Sequence, residues 1–173
     1  TDVSLQYYYA EGLRLKGLNL YRLGESRQAV ASLEHSLSLY SAINENTRIP
    51  IVLMETGMVH LAVGDVDSAR ISYQKALSLK QAERDLFIQA DILNNLGVLY
   101  HQIGEYELAS ETFESGLVCA RKSRNRHAES LILGGLGDLY SEVDEFDAAA
   151  QAYQQAELAA GDLAGFIRSY LIV

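Results

Sequence analysis

The side chains that could carry chemistry are few and scattered. Four histidines, His35, His60, His101 and His127, and one cysteine, Cys119, are the metal-ligand and nucleophile candidates of this 173-residue chain. A helical metal site or a base–nucleophile pair needs a second such group one turn away on the same face, and no histidine has a second histidine or cysteine three or four residues from it. The stretch "GGLGDLY" at 134–140 has the glycine density of a phosphate loop, but no strand precedes it and no lysine follows, so helix packing accounts for it. Carboxylates are plentiful and fall mostly on solvated helix faces and at helix starts. No catalytic set converges, and neither a metal nor a cofactor is expected. Cys119 cannot form an internal disulfide and reads as a small buried residue in a reducing compartment.

The elements that hold these residues appear when the chain is compared with itself. Gly17, Gly57, Gly97 and Gly137 stand 40 residues apart, as do Leu13, Leu53, Leu93 and Leu133. The same offset aligns Ala29, Ala69, Ala109 and Ala149, then Leu33, Tyr73, Phe113 and Tyr153, then the small residues Ser36, Ala76, Gly116 and Ala156. Each unit holds two amphipathic stretches joined by a break: "LGES", "VGDV", "IGEY" and "VDEF". Glycine, or Asp144 in the last unit, can take the left-handed conformation that ends a helix, and the acidic residue after it suits the next helix's amino terminus. In the third unit Gln89, Leu93, Leu96, Gly97, Tyr100 and Ile103 form one stripe, faced by Leu108, Ala109, Thr112, Phe113, Gly116 and Leu117. Glycine inside a helix costs about 1 kcal/mol against alanine, so a glycine column implies close packing. His60 stands in the column of Tyr100 and Tyr140 and is expected to be a hydrogen-bonded core histidine. Pro50 is expected in the first turn of a helix capped by Asn46 or Thr47, with a kink as the alternative.

These residues resemble the tetratricopeptide repeat family, whose signature runs W-x2-L-G-x2-Y, then A-x3-F, then P. The third unit offers Leu93, Leu96, Gly97 and Tyr100 with Ala109 and Phe113, and the fourth Leu133, Leu136, Gly137 and Tyr140 with Ala149 and Tyr153. The match thins toward the amino terminus, where His60, Leu20 and Leu33 stand in aromatic columns. Tryptophan and the closing proline are absent, and the period of 40 exceeds the family's usual value of about 34, which is expected to lengthen the helices. The expected fold is all-α, a right-handed superhelical solenoid of four helix-turn-helix repeats over 5–44, 45–84, 85–124 and 125–164. Residues 165–173 are expected to start a fifth. The whole reads as a single domain and a fragment of a longer array, with an apolar edge at Phe166, Tyr170, Leu171, Ile172 and Val173 that favours self-association.

In such solenoids, the resemblance implies, the first-helix face away from the glycine stripe lines a concave groove that binds peptides. Here it carries Glu11, Arg14, Leu15, Leu18 and Arg22, then Ile51, Met54, Glu55, Met58 and Ala62, then Asp91, Asn94, Asn95, Val98 and Gln102, then Leu131, Gly134, Gly135, Asp138 and Glu142. Met54 and Met58 suit an adaptable surface or helix packing. Asn94 and Asn95 can donate to and accept from an extended backbone, or are merely solvated. The groove lacks the lysines and arginines around an asparagine with which chaperone-binding members grip a terminal carboxylate. Segments such as "ILNNLGVLY", with the period of 40, resemble the arrays of large bacterial signal-transduction ATPases and transcriptional activators. The expected function is therefore a non-catalytic module that binds a protein or peptide partner within a larger regulator. The alternative is an effector sensor that binds a small ligand or signalling peptide. A net charge of −9 argues against direct nucleic-acid binding, and the lack of a spanning apolar run or a signal segment reads as a cytoplasmic chain.

Overall fold

The computed structural model describes residues 2–170, with the side chains of 80–81 and 162–170 left aside. Every regular element among them is a helix: α1 Val3–Arg22, α2 Ser26–Ala42, α3 Ile49–Ala62, α4 Val66–Leu77, the short α5 Lys80–Arg84, α6 Leu86–Gln102, α7 Tyr106–Ser123, α8 Arg126–Glu142 and α9 Phe146–Tyr170. The chain divides into two compact units, Thr1–Arg84 and Asp85–Val173. In the first, α1 pairs with α2 and α3 with α4, and α2 packs on α3. In the second, α6 pairs with α7 and α8 with α9, and α7 packs on α8. The first helices of neighbouring pairs also meet, α1 with α3 and α6 with α8.

The breaks within the pairs do what their sequences imply. Gly24, Gly64, Gly104 and Asp144 adopt φ of 80, 79, 78 and 63°, and the following residue's N–H reaches back five residues, as in Glu25 to Leu20 O at 2.9 Å and Glu145 to Tyr140 O at 2.8 Å. This satisfies carbonyls that the helix end would otherwise leave open. Two turns between pairs use the same device with Asn44 and Arg124, each at φ 57°.

The glycine column is the contact column. A methyl carbon at Gly97 would lie 2.6 Å from the Phe113 ring, at Gly57 2.6 Å from Tyr73, at Gly137 2.5 Å from Tyr153, and at Gly17 2.8 Å from Leu33. Phe113 is further seated against Gly135 of α8, where an added carbon would meet its Cζ at 2.6 Å. The Phe113 ring is fully buried, with Ala109, Ile132 and Leu136 in the same core, a burial that stabilises by about 1.5–3 kcal/mol. Leu33, Tyr40, Val52 and Val59 form the core of the first unit.

The structure corrects several expectations. The second helix of the second pair is not lengthened: α4 is 12 residues long, and α5 follows as a separate turn. Pro50 does lie in the first turn of α3, but the N-cap is Arg48, whose backbone is already right-handed. The extended cap that Asn46 or Thr47 would need is absent, and the Thr47 hydroxyl donates to Glu45 instead. Leu108, in the first turn of α7, and Ile103, the C-cap of α6, flank the turn and are 43% and 38% exposed. His60 is half-buried, with its Nδ1 3.4 Å from Asp65 Oδ2, so it sits at the rim of the core rather than within it. Helix α9 runs unbroken to Tyr170, so residues 165–170 continue the second helix of the fourth pair. Ala164 stands where Asn44 and Arg124 turn left-handed, and alanine favours continuation of the helix. The expected apolar edge at Phe166 to Val173 lies outside the described side chains.

Candidate functional site

On the first-helix face of the Thr1–Arg84 unit, Arg14 joins α1 to α3. Its Nη2 donates to Glu11 Oε1 at 2.7 Å, and its Nε lies 3.2 Å from both Glu11 oxygens. Nη1 donates to Glu55 Oε1. The Tyr40 hydroxyl of α2 donates to Glu11 Oε2 at 2.5 Å, and Arg48 Nη2 donates to the Tyr7 hydroxyl at 2.9 Å. The Arg14 hydrogen bond brings the Glu11 carboxyl down to about 2 and holds Arg14 above its ordinary value. Glu55 behaves oppositely. Its side chain is 9% exposed and its Oε2 accepts no hydrogen bond from the described residues, so burial pushes it up to about 7 against the attraction of Arg14. Leu18, Met54 and Met58 are half-buried beside this network.

The corresponding face of Asp85–Val173 is built differently. Asn125, at the N-cap of α8, donates from Nδ2 to Asp91 Oδ1 at 3.0 Å and accepts from Ala128 N at 3.0 Å. Burial raises Asp91 while this hydrogen bond opposes the shift. One turn along α6, Asn95 Nδ2 donates to its own helix at Asp91 O, 2.8 Å away. Asn94 Oδ1 is buried and accepts no hydrogen bond from the described residues. Val98 is half-buried and Gln102 exposed. On α8, Asp138 Oδ1 accepts from the Tyr153 hydroxyl at 2.7 Å, a bond that raises the tyrosine. Of the sequence-predicted polar residues here, Asp91, Asn95 and Asp138 are bonded within the fold, Asn94 has an unpartnered acceptor and Gln102 is exposed.

Sequence comparison decides the family. The Tetratricopeptide repeat family matches residues 48–122 and, overlapping them, 88–157, more than half of the chain. The chain belongs to the tetratricopeptide repeat family. Its solved structural neighbours agree on the fold. BtubC (BKLC) from P. vanneervenii is similar at a TM-score of 0.77 and 19% identity, over 95% of this chain and 67% of that one. MamA is similar at a TM-score of 0.65 and 19% identity, over 90% and 81%. No curated protein matches significantly. Tetratricopeptide repeats generally mediate protein–protein interaction and are typically non-catalytic scaffolds. Among the described residues no group of three or more His, Cys, Asp or Glu could hold a metal ion, and no helix is long and apolar enough to cross a membrane.

In a tetratricopeptide frame, the Arg14–Glu55 link was within reach of the sequence: the two residues are 41 apart, one position off the 40-residue repeat, and opposite in charge. The roles of Tyr40, Tyr7 and Arg48 left no such signal, because Tyr40 reaches Glu11 from the second helix and Arg48 lies in a turn. Cys119 is half-buried, with its thiol 3.3 Å from Gln89 Oε1, and burial raises its pKa.

Proposed function

We propose that the chain is a non-catalytic docking module that binds a peptide segment of a protein partner along its first-helix face, within a larger regulatory protein. In the second unit Asn94, Asn95, Val98 and Gln102 of α6 are the contact residues; in the first unit, taken by itself, they are Leu18, Met54 and Met58. Arg14, Glu55, Asp91 and Asp138 shape the face through the bonds they make inside the fold. The observation that carries this reading is the buried, unpartnered Oδ1 of Asn94. Buried acceptors are nearly always bonded, and one left open on a first helix suits the N–H of an incoming backbone. Asn95 retains its Oδ1 as a second acceptor.

The experiment is a selection of random displayed peptides on the purified chain, followed by titration of the selected peptides against Asn94→Ala, Asn95→Ala and the Met54→Ala, Met58→Ala pair, with melts in parallel. The reading expects peptides selected on either unit's face to bind more weakly when that unit's contact residues are replaced, with folding retained. If no selected peptide depends on these positions, while small metabolites raise the melting temperature of the protein, then the module is an effector sensor and the peptide reading fails.

A further inference from the structure

The net charge of −9 is confined to one unit. Residues 1–84 contain nine Lys or Arg and nine Asp or Glu, whereas residues 85–173 contain five and fourteen. Four of those five bases, Arg121, Lys122, Arg124 and Arg126, fall within six consecutive residues, and His127 follows. They occupy the end of α7, the turn and the start of α8. Because consecutive packed helices alternate in direction, this turn lies at the opposite end of the helices from the α6–α7 and α8–α9 turns. Those carry Glu105, Glu107, Glu142, Asp144, Glu145 and Asp147. The bases of this unit thus gather at one end, which also holds Asp85, Asp91 and Glu129, and the turns at the other end carry carboxylates without Lys or Arg.

Helix stability explains only part of the basic end. Arg121 and Lys122 lie in the last turn of α7, where cations suit the partial negative charge of the carbonyls. Arg126 is the first residue of α8, where a cation faces the partial positive charge and is disfavoured. Arg124 is held at φ 57°, ψ 30°, a left-handed conformation that Asn44 adopts in the first unit and that asparagine tolerates better than arginine. Arg124 is thus held in a sparsely populated backbone region, and residues so held cluster at sites of function.

The side chains are also braced. Glu129 is 6% exposed, and its two oxygens receive Arg121 Nε at 2.9 Å and Arg126 Nη1 at 2.8 Å. Arg121 Nη2 donates to Gln155 Oε1 at 3.1 Å. Burial works to raise the Glu129 carboxyl, but these hydrogen bonds bring it below its ordinary value, so it stays ionised. Both guanidinium side chains remain about half exposed, at 50% and 49%. With Arg124 and Glu129 they line a depression of about 330 Å³.

We propose that the α7–α8 turn is a second docking point, which receives a carboxylate-rich segment of a protein partner through Arg121, Arg124 and Arg126, with Glu129 as the brace. Three guanidinium side chains and one carboxylate line the depression, and guanidinium forks bind carboxylates in paired hydrogen bonds. The depression accommodates a side chain or two rather than a duplex backbone. Nucleic acid fits less well: residues 119–130 contain no Phe, Tyr or Trp, His127 is their one ring on which a base could stack, and the surrounding unit repels a polyphosphate. The site uses different residues from the first-helix face, so either reading can fail alone.

The test uses the full chain and three labelled probes at low salt: a short peptide of Glu and Gly, its Gln counterpart, and a short single-stranded RNA. The Glu peptide should bind and the Gln peptide should not, with affinity falling as salt is added. Arg124→Asn with Arg126→Gln should weaken the Glu peptide roughly tenfold or more. Melts should show the Arg124→Asn single variant at least as stable as the parent, since asparagine suits that backbone. Asn94→Ala should leave Glu-peptide binding unchanged. Equal binding of Glu and Gln peptides, or affinity that survives the double variant, overturns the proposal. Tighter binding of the RNA replaces it with nucleic-acid recognition. Concentration-dependent self-association in sedimentation, abolished by the double variant, would show that the occupant is the acidic end of another copy and overturn the partner assignment.

Discussion

Two units built on the same columns use their first-helix faces in opposite ways. In Thr1–Arg84, charges balance in number, and on that face Glu11, Arg14 and Glu55 answer one another, with Tyr40 closing the set. In Asp85–Val173, carboxylates outnumber bases and nearly all the basic charge is gathered at one turn; the unpartnered acceptor there belongs to a neutral amide, Asn94, where in the first unit it belongs to Glu55. The glycines, alanines and ring positions that hold the helices together are shared, so the fold does not dictate this difference. It shows that the repeat scaffold leaves face chemistry open to vary, with one unit joining its first helices through charged pairs and the other through amide and carboxylate hydrogen bonds.

The scaffold itself gives the largest expected effects. Phe113 is fully buried between Gly97 and Gly135, whereas Tyr153, its counterpart in the next pair, is 41% exposed. Phe113→Ala should lower unfolding free energy by roughly 3–5 kcal/mol, and Tyr153→Ala by clearly less. Equal shifts in chemical denaturation would break the view that one ring locks both pairs. Gly97→Ala comes next, with an expected cost of roughly 1–3 kcal/mol from overpacking. Gly137→Ala meets a ring that can swing outward and also gains about 1 kcal/mol of helix propensity, so its denaturation midpoint should barely move.

The charged face of the first unit predicts a pH signature. Glu55 rises from 4.5 to about 7 on folding, so the folded state holds its proton while the unfolded state has lost it. Its contribution is fully present below about 4.5 and is lost as pH climbs to about 7. Glu55→Gln should therefore gain stability relative to the parent between pH 5 and pH 8, by at most about 2 kcal/mol once screening is allowed for. Glu11, brought down to about 2, has the opposite sign: its contribution is present above about 4.5 and is lost as pH falls toward about 2. Parallel melting curves for parent and Glu55→Gln across this range would remove the charged network from the comparison.

Much of the fold was legible because repetition multiplies weak signals. A single helical Gly97 is ambiguous, but four glycines in register with Leu33, Tyr73, Phe113 and Tyr153 define a contact, and those pairs do meet. Turn chemistry was equally plain at Gly24, Gly64, Gly104 and Asp144. Spacing gives the face on which a residue lies, not the partner it finds there. Asn95 was placed on a face but turned its amide to the carbonyl of Asp91, because an asparagine inside a helix can bond four residues back. Asp138 likewise found Tyr153. Glu55 was placed on the groove face, but its burial depends on how α1 and α3 meet, a packing detail that no one-helix pattern contains. The length of α4 and the unbroken run of α9 were missed because a fixed period constrains the sum of helix and turn, not the division between them.

The smallest expected change in stability belongs to the most direct test. Asn94→Ala removes a buried acceptor that no described residue satisfies, so unfolding free energy should stay within roughly 0.5 kcal/mol of the parent or rise. Titration of a peptide selected on the first-helix face should in the same variant lose roughly 0.5–1.5 kcal/mol of binding free energy for one hydrogen bond. Loss of stability with unchanged affinity would contradict the account. So would affinity that survives Asn94→Ala but falls when Glu107, Glu111 and Glu114 of α7 are reversed in charge, for then the partner binds the second helices instead.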